Sequence, residues 1–278
     1  MGTTPEVRIV QGDARILPGV ADRSVDLVIT SPPYPMIPQW DALFARLGAH
    51  DFDAMHSLLD AAWASCARVL VDGGILAINV GDALRRVDGV FRLWSNHARV
   101  LESVERLGLR PLPYLLWKKP TNKPNAFLGS GFLPPNAYVT LDCEFILLFA
   151  KGGPRVYPRL DPVRAGSRFS RAERDRWFSQ VWEGIRGQRQ TDGARRTAAF
   201  PAEIPERLVR MFSCRGETVL DPFAGTGTTL WAAAKWGRNA IGVEIDPALA
   251  AKLKEEANRR RSSSEASPDA RPPRRPPA

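Results

Sequence analysis

Apolar residues recur along this chain in two rhythms, short runs suited to strands and longer stretches at helical spacing. The short runs at 7–10, 25–29, 75–80, 112–117, 145–149, 218–220 and 240–243 predict strands. Asp26 is the only charge in the second run and the third has none, so both read as buried strands. Phe52, Met55, Leu58, Leu59, Ala62, Trp63, Cys66, Val69 and Leu70 repeat at helical spacing and predict a helix over 52–70, stopped by Asp72-Gly73-Gly74. Further helices are expected at 100–107, with Gly108 as the stop, and at 202–212, 228–236 and 248–261.

Strands and helices that alternate in this way predict an α/β fold, a mostly parallel sheet with helices on both faces. Residues 154–196 interrupt the alternation. They are rich in arginine and glycine, with isolated aromatics (Tyr157, Phe169, Trp177, Phe178, Trp182) and weak periodicity, and read as a separate module. From Ser262 onward the chain is a Ser/Pro/Arg tail with almost nothing apolar, and disorder is expected there.

Composition narrows the class. A chain of 278 residues that is 44% hydrophobic and 25% charged can bury one substantial core. No apolar run approaches the roughly 20 residues of a membrane span, and no signal-peptide pattern opens the chain, so a cytoplasmic location is expected. Cys66, Cys143 and Cys214 form no CxxC pair, and His50, His56 and His97 have no ligand-like spacing, so neither zinc, another metal nor a disulfide framework is expected. The net charge of +9 is unevenly placed. Residues 155–196 hold eleven arginines against five acids, and residues 259–278 hold six against two, which leaves the rest nearly neutral. That distribution suits a phosphate-backbone partner.

Two loops carry candidate chemistry. The strand at 218–220 runs into Asp221 and then Gly225-Thr226-Gly227-Thr228-Thr229 at the start of a helix, where Gly225 and Gly227 permit a tight turn and close approach to a ligand. Glu244 ends the next strand, 19 positions after Gly225, where an acid can bind the two hydroxyls of a ribose. A glycine pair alone is only a turn; Asp221 and Glu244 around it make a nucleotide site. Leu230 stands where a dinucleotide fingerprint needs its third glycine, and no Gly-Lys-Ser/Thr follows, so neither NAD nor a P-loop phosphate fits. The second loop, Ser31-Pro32-Pro33-Tyr34, follows the buried strand at 25–29 and is stiffened by two prolines.

Gly12-Asp13, the run from Ser24 to Tyr34, the run from Asp221 to Thr229 and the run from Arg238 to Asp246 together resemble the motifs of the amino-methyltransferases of DNA. The base-binding loop comes first, the basic region next and the cofactor loop last, which resembles the permuted beta class, in its Ser-Pro-Pro-Tyr subtype. The resemblance spans about residues 7–150 and 197–258 and implies a circularly permuted, Rossmann-like methyltransferase fold. It divides the chain into a catalytic half at 1–153, an inserted target-recognition region at 154–196, a cofactor-binding half at 197–261 and a basic tail at 262–278.

It also implies S-adenosyl-L-methionine as cofactor and double-stranded DNA as partner, with a cognate restriction endonuclease acting on the same site as a further partner. Asp13 is then expected near the cofactor's adenine, Phe223 lining that pocket, Phe200 and Pro201 packed beside it, and Asp221 near the amino-acid moiety. Gly225, Gly227 and Thr228 form the cofactor loop. Ser31, Pro32, Pro33 and Tyr34 are the expected catalytic loop: the Ser31 hydroxyl and Pro32 carbonyl accept both hydrogens of an exocyclic amine, and Tyr34 stacks on the extruded base.

Serine at the first loop position resembles enzymes acting on cytosine N4, whereas aspartate is usual for adenine N6; the adenine-N6 reading stays open, as do an inactive DNA-binding core and an RNA substrate. Cytosine-C5 chemistry needs a nucleophilic cysteine, usually beside proline, and none of the three cysteines has a proline neighbour. Among smaller features, Trp40-Asp41 either walls the base pocket or starts a surface helix. The stretch 117–125 with 129–131 resembles a DNA-facing loop whose three lysines meet phosphates. Asp142 and Glu144 either help hold the target base or simply close a turn.

Overall fold

The computed structural model describes residues 4–119, 139–186 and 200–265. Lys123, Gly129-Ser130-Gly131, Arg189, Arg195 and Arg196 lie outside these ranges, as does the tail from residue 266. The described chain runs β1 (Val7–Gln11), β2 (Val25–Thr30), a 3-10 turn (Pro38–Trp40), α1 (Asp41–Arg46), α2 (Phe52–Val69), β3 (Leu70–Val80), β4 (Ala83–Val87), β5 (Val90–Trp94) and α3 (Asn96–Arg106). It continues through β6 (Arg110–Lys118), β7 (Cys143–Ala150), α4 (Pro162–Gly166), α5 (Arg171–Trp177) and β8 (Val181–Trp182). The last part is α6 (Glu203–Phe212), β9 (Thr218–Asp221), α7 (Thr228–Lys235), β10 (Asn239–Glu244) and α8 (Pro247–Glu265).

One sheet organises the molecule, in the order β1-β10-β9-β2-β3-β7-β6-β8. Only β7 runs against its neighbours; every other pairing in this sheet is parallel. Side chains alternate along β2: Val25 and Val28 pack with Leu59, Trp63, Val100 and Val104 beneath α2 and α3, while Leu27 and Ile29 pack with Ile204, Leu208, Leu230 and Leu253 beneath α6, α7 and α8. Burial on both faces is what the near-continuous apolar runs require. From β9 the chain crosses through α7 to β10 on one side, and from β2 through α2 to β3 on the other. The crevice between the C-terminal ends of β9 and β2 is therefore the switch point where ligands bind in open α/β sheets.

Several elements depart from the sequence reading. Asp72-Gly73-Gly74 does not separate α2 from the next strand; β3 starts at Leu70, and the three residues lie in a bulge where the pairing jumps from Val25–Leu70 to Leu27–Ile75. Gly73, at φ 77°, gives that bulge its turn. In β6 the register shifts between Leu112 and Leu115, around Pro113, which has no N–H to give the ladder. The β4–β5 hairpin, unforeseen, turns on Asp88-Gly89, both at positive φ.

The described part of 154–196 packs onto the sheet instead of standing apart. Arg155 pairs with Asp26 at 3.1 Å and Glu217 at 2.8 Å. Glu173 of α5 pairs with Arg210 of α6, and β8 extends the sheet beside β6 with Trp182 fully buried. Elements this short show little periodicity, although Ser170 and Glu173 form a capping box at the start of α5. The tail also begins later than expected, because α8 continues to Glu265.

Candidate active site

Every loop that sequence analysis singled out for chemistry leaves a strand at the same end of the sheet. Gly12-Asp13 follows β1, Ser31 follows β2, Pro222-Phe223 follows β9, and Ile245 follows β10. A cleft at that end is lined by Asp13, Ser31, Pro33, Phe223, Gly225 and Glu244 together, so the expected base loop and cofactor loop share one space. They are also joined directly: the Thr30 hydroxyl donates to Asp221 Oδ1 at 2.8 Å. Trp40 lines the same cleft, while Asp41 starts α1 and is held by Arg85 at 2.8 Å, so the first of that pair is a wall and the second a helix start.

The cofactor side is built around buried acids. Glu244 accepts from Gly225 N at 2.8 Å and from Asp246 N at 2.9 Å, one on each carboxylate oxygen. Burial pushes its carboxyl above the usual range, against the pull of those two amides. Each oxygen retains lone-pair capacity, which suits a pair of adjacent hydroxyls. Asp13 lies at the same lip, gripped by the Arg15 guanidinium at 2.6 and 2.9 Å; these hydrogen bonds hold its carboxyl below the usual range. Asp221 is fully enclosed, accepts from Thr30 and from Phe223 N at 3.1 Å, and burial pushes its carboxyl up to about 6. Its position is behind the wall formed by Pro222 and Phe223, and it does not itself line the cleft.

Other expected cofactor residues are spread more widely. Gly227 caps α7 at φ 80°, where a Cβ would meet Leu253 and Trp231 at 2.7 Å, and Thr228 is the first residue of that helix. Phe200 and Pro201 are buried just before α6, Phe200 in the core layer under α6 and α7; neither lines the cleft. Apolar walls that the sequence did not mark come from α1 and α2: Phe44, Leu58, Leu59 and Ala62. Acidic lips, aromatic and aliphatic walls, and a carboxylate with spare lone pairs fit a cationic nucleoside with ribose hydroxyls. S-adenosyl-L-methionine has that chemistry.

On the base-loop side, the Tyr34 hydroxyl is turned inward. It donates to Glu144 Oε2 at 2.8 Å and accepts from Asn79 Nδ2 at 2.8 Å. Ser31 Oγ lies 2.9 Å from the same oxygen. Asn79 Nδ2 also donates to Glu144 Oε2 at 2.6 Å, and Lys119 Nζ reaches Glu144 Oε1 at 3.0 Å. The loop is held from behind by Asn96, whose amide donates to Pro35 O and Gly81 O. Pro32 is buried, and Tyr34 and Pro32 do not line the cleft. Of the lysines expected to meet phosphates, Lys118 pairs with Glu183 and Lys119 with Glu144, so the described ones are engaged by acids.

Sequence reasoning weighed Glu144 but missed Asn79, Asn96 and Arg15. Asn79 is a polar residue inside an otherwise apolar strand, a signal present in the sequence. The Cys66 thiol is pushed well up by burial, and Cys143 is raised by burial and by Asp142, so neither is a ready nucleophile. Among the described residues, no three His, Cys, Asp or Glu side chains form a metal cluster, and no helix is long and apolar enough to cross a membrane.

Comparison with known proteins agrees with this geometry. A DNA methylase family, the N6/N4 methyltransferases, matches residues 25–255. The type II methyltransferase M.MjaI of Methanocaldococcus jannaschii is 53% identical over 271 residues, covering 88% of this chain and 89% of that one. TTHA0409 of Thermus thermophilus, solved in complex with S-adenosyl-L-methionine, superposes with a TM-score of 0.73 at 38% identity over 92% of this chain and 95% of that one. The cytosine-N4-specific PvuII DNA methyltransferase shares the fold, with a TM-score of 0.62 at 19% identity over 93% of this chain and 95% of that one. The two loops facing each other across the switch point, the acid that ends β10 and these matches together place the chain in the N6/N4 DNA methylase family, as an S-adenosylmethionine-dependent DNA methyltransferase.

Proposed function

We propose that the chain methylates the N4 amine of cytosine in duplex DNA, at a specific short sequence, after the base has rotated out of the helix. The observation that carries this reading is Ser31, the first residue of the Ser-Pro-Pro-Tyr loop, lining the same cleft as Phe223 and Glu244. An exocyclic amine is a poor nucleophile because its lone pair is delocalised into the ring. Acceptors fixed at its two hydrogens favour a pyramidal nitrogen with a directed lone pair, and the consecutive prolines Pro32 and Pro33 keep the Ser31 hydroxyl and Pro32 carbonyl preorganised. S-adenosylmethionine supplies an electrophilic methyl group carried on a sulfonium. Glu244 and Asp13 anchor its nucleoside end, and Phe223 walls it in. Tyr34 keeps the loop in shape through its hydroxyl and offers its ring to the extruded base.

Target recognition falls to a part of the basic region 154–196, and a restriction endonuclease reading the same sequence is the partner that a type II system supplies. The test is a nucleoside digest by mass spectrometry after incubation with plasmid DNA and S-adenosylmethionine. N4-methylcytosine is the expected product; N6-methyladenine without N4-methylcytosine would overturn the choice of base. Methylation-sensitive sequencing of a host expressing the protein then reads the recognition sequence, which a neighbouring endonuclease should share.

A further inference from the structure

We propose that Ser31, Tyr34 and Glu144 form a proton relay that carries the proton of the reacting amine out of the cleft. The proposal rests on the reading of Ser31 as the residue that meets the target amine. The direction of the relay is set by hydrogen-bond inventory. Tyr34 has one hydroxyl proton and gives it to Glu144 Oε2, 2.8 Å away. Across the 2.9 Å contact between Ser31 Oγ and Tyr34 Oη, serine must therefore be the donor. Asn79, donating to both the Tyr34 oxygen and Glu144 Oε2, leaves neither atom free to turn elsewhere. With its own proton committed to Tyr34, Ser31 presents only lone pairs to the cleft. It can accept an amine hydrogen and cannot compete as a donor.

The balance of the step follows from this order. The nitrogen–methyl bond forms as the methyl–sulfur bond breaks, with sulfur keeping that electron pair. The N–H bond breaks, its pair returns to nitrogen, and its proton passes to Ser31 Oγ. The Ser31 proton passes to Tyr34 Oη, and the Tyr34 proton passes to Glu144 Oε2. The carboxylate ends as a carboxylic acid, and tyrosine and serine end as they began. Lys119, 3.0 Å from Glu144 Oε1 with its side chain 37% exposed, pairs with the carboxylate and connects it to solvent, where the proton is released.

The packing around the relay is specific to it. A Cβ at Gly81 would come within 3.2 Å of Tyr34 Cε2 and 3.3 Å of Glu144 Cγ, so glycine there allows the two side chains to close on each other. Glu144 comes from the one reversed strand, β7, whose start lies at the end of the sheet where β2 and β3 finish. Glu144 is engaged by Tyr34, Asn79 and Lys119, and in the relay it acts through Tyr34.

The test is single-turnover methylation by Glu144→Gln and Tyr34→Phe across a pH series, in H2O and D2O. Both variants are expected to react about 100-fold more slowly, the scale of positioned acid–base catalysis. The acidic limb of the pH–rate profile and the solvent isotope effect should disappear in both. Affinities for S-adenosylmethionine and for DNA should stay within twofold of the parent. The double variant should be no slower than either single one, because the residues act as one unit. A parental rate in Glu144→Gln, or a slower rate with the parental pH profile and isotope effect, would overturn the relay and leave Glu144 as a brace for the loop. Product nucleosides from the same reactions separate the two readings: N6-methyladenine from the parent protein sinks the choice of cytosine while leaving the relay comparison intact.

Discussion

Asp221, enclosed behind the Pro222-Phe223 wall, ties the stability of the fold to pH. Burial raises its carboxyl from 3.8 to about 6. Between those values the folded protein holds a proton that the unfolded chain has released, so stability rises as pH falls from about 6 toward 4. Above 6 the ionised, enclosed carboxylate costs the fold about 3 kcal/mol. The sign for ligand binding is opposite, since a sulfonium cation across the Pro222-Phe223 wall favours the ionised form. S-adenosylmethionine affinity is expected to weaken as pH drops through 6, and Asp221→Asn should flatten that dependence while raising the melting temperature at pH 8. Calorimetric titrations at pH 5 to 8 check it, and an unchanged pH dependence in the variant would show that another group is responsible. Asp221 and Glu244 stand out in the sequence because each ends a strand beside small or rigid residues, and Ser31 because it opens the proline-stiffened loop after one. The partnership of Asn79 and Lys119 with Glu144 was not legible, because it arises from β3, β7 and β6 lying side by side, which no local pattern states.

At the scale of elements, the glycine loop depends on α7 starting from a left-handed residue. Gly227 sits at φ 80°, and a Cβ there would press within 2.7 Å of Leu253 on α8 and Trp231 on α7. Gly227→Ala is therefore strained twice, and should destabilise the fold by about 1–3 kcal/mol. Because the same turn presents Gly225 N to Glu244, affinity for S-adenosylmethionine should fall as well. Chemical denaturation and ligand titration on one preparation separate the two effects; a stable variant with parental affinity would show that the turn is more tolerant than its geometry. The long regular elements were readable from periodicity, and so was their packing in two layers. What periodicity hid were places where the chain stores one residue too many, as around Pro113, or turns in two, as at Asp88-Gly89. Both are turn chemistry and carry no hydrophobic signal.

The sheet has two ends, each with its own groove. The cleft opens where the parallel strands finish, so the proposed extrusion of the base would bring the duplex to that end. Arg159, Arg164 and Arg168 lie in a groove with Gly73, Ala150 and Cys214, which mark where β3 gets under way, where β7 finishes and where the chain approaches β9. That is the opposite end of the sheet, roughly 25 Å away along an eight-residue strand. Beyond it the chain returns: β8 pairs with Leu116 and Trp117 near the finish of β6, and the Trp117 indole reaches Ile185 O at 3.4 Å. The arginines counted as one basic block in the sequence are thus divided by the fold, with Arg159, Arg164 and Arg168 at the far end. A variant with Arg159, Arg164 and Arg168 all changed to alanine should keep the parental recognition sequence and single-turnover rate on a short duplex. Its affinity should keep the same salt dependence, since each lost phosphate contact would lower the slope by about 0.9. A slope reduced by two or more would mean that DNA wraps to the far end, and that the basic block acts as one surface after all.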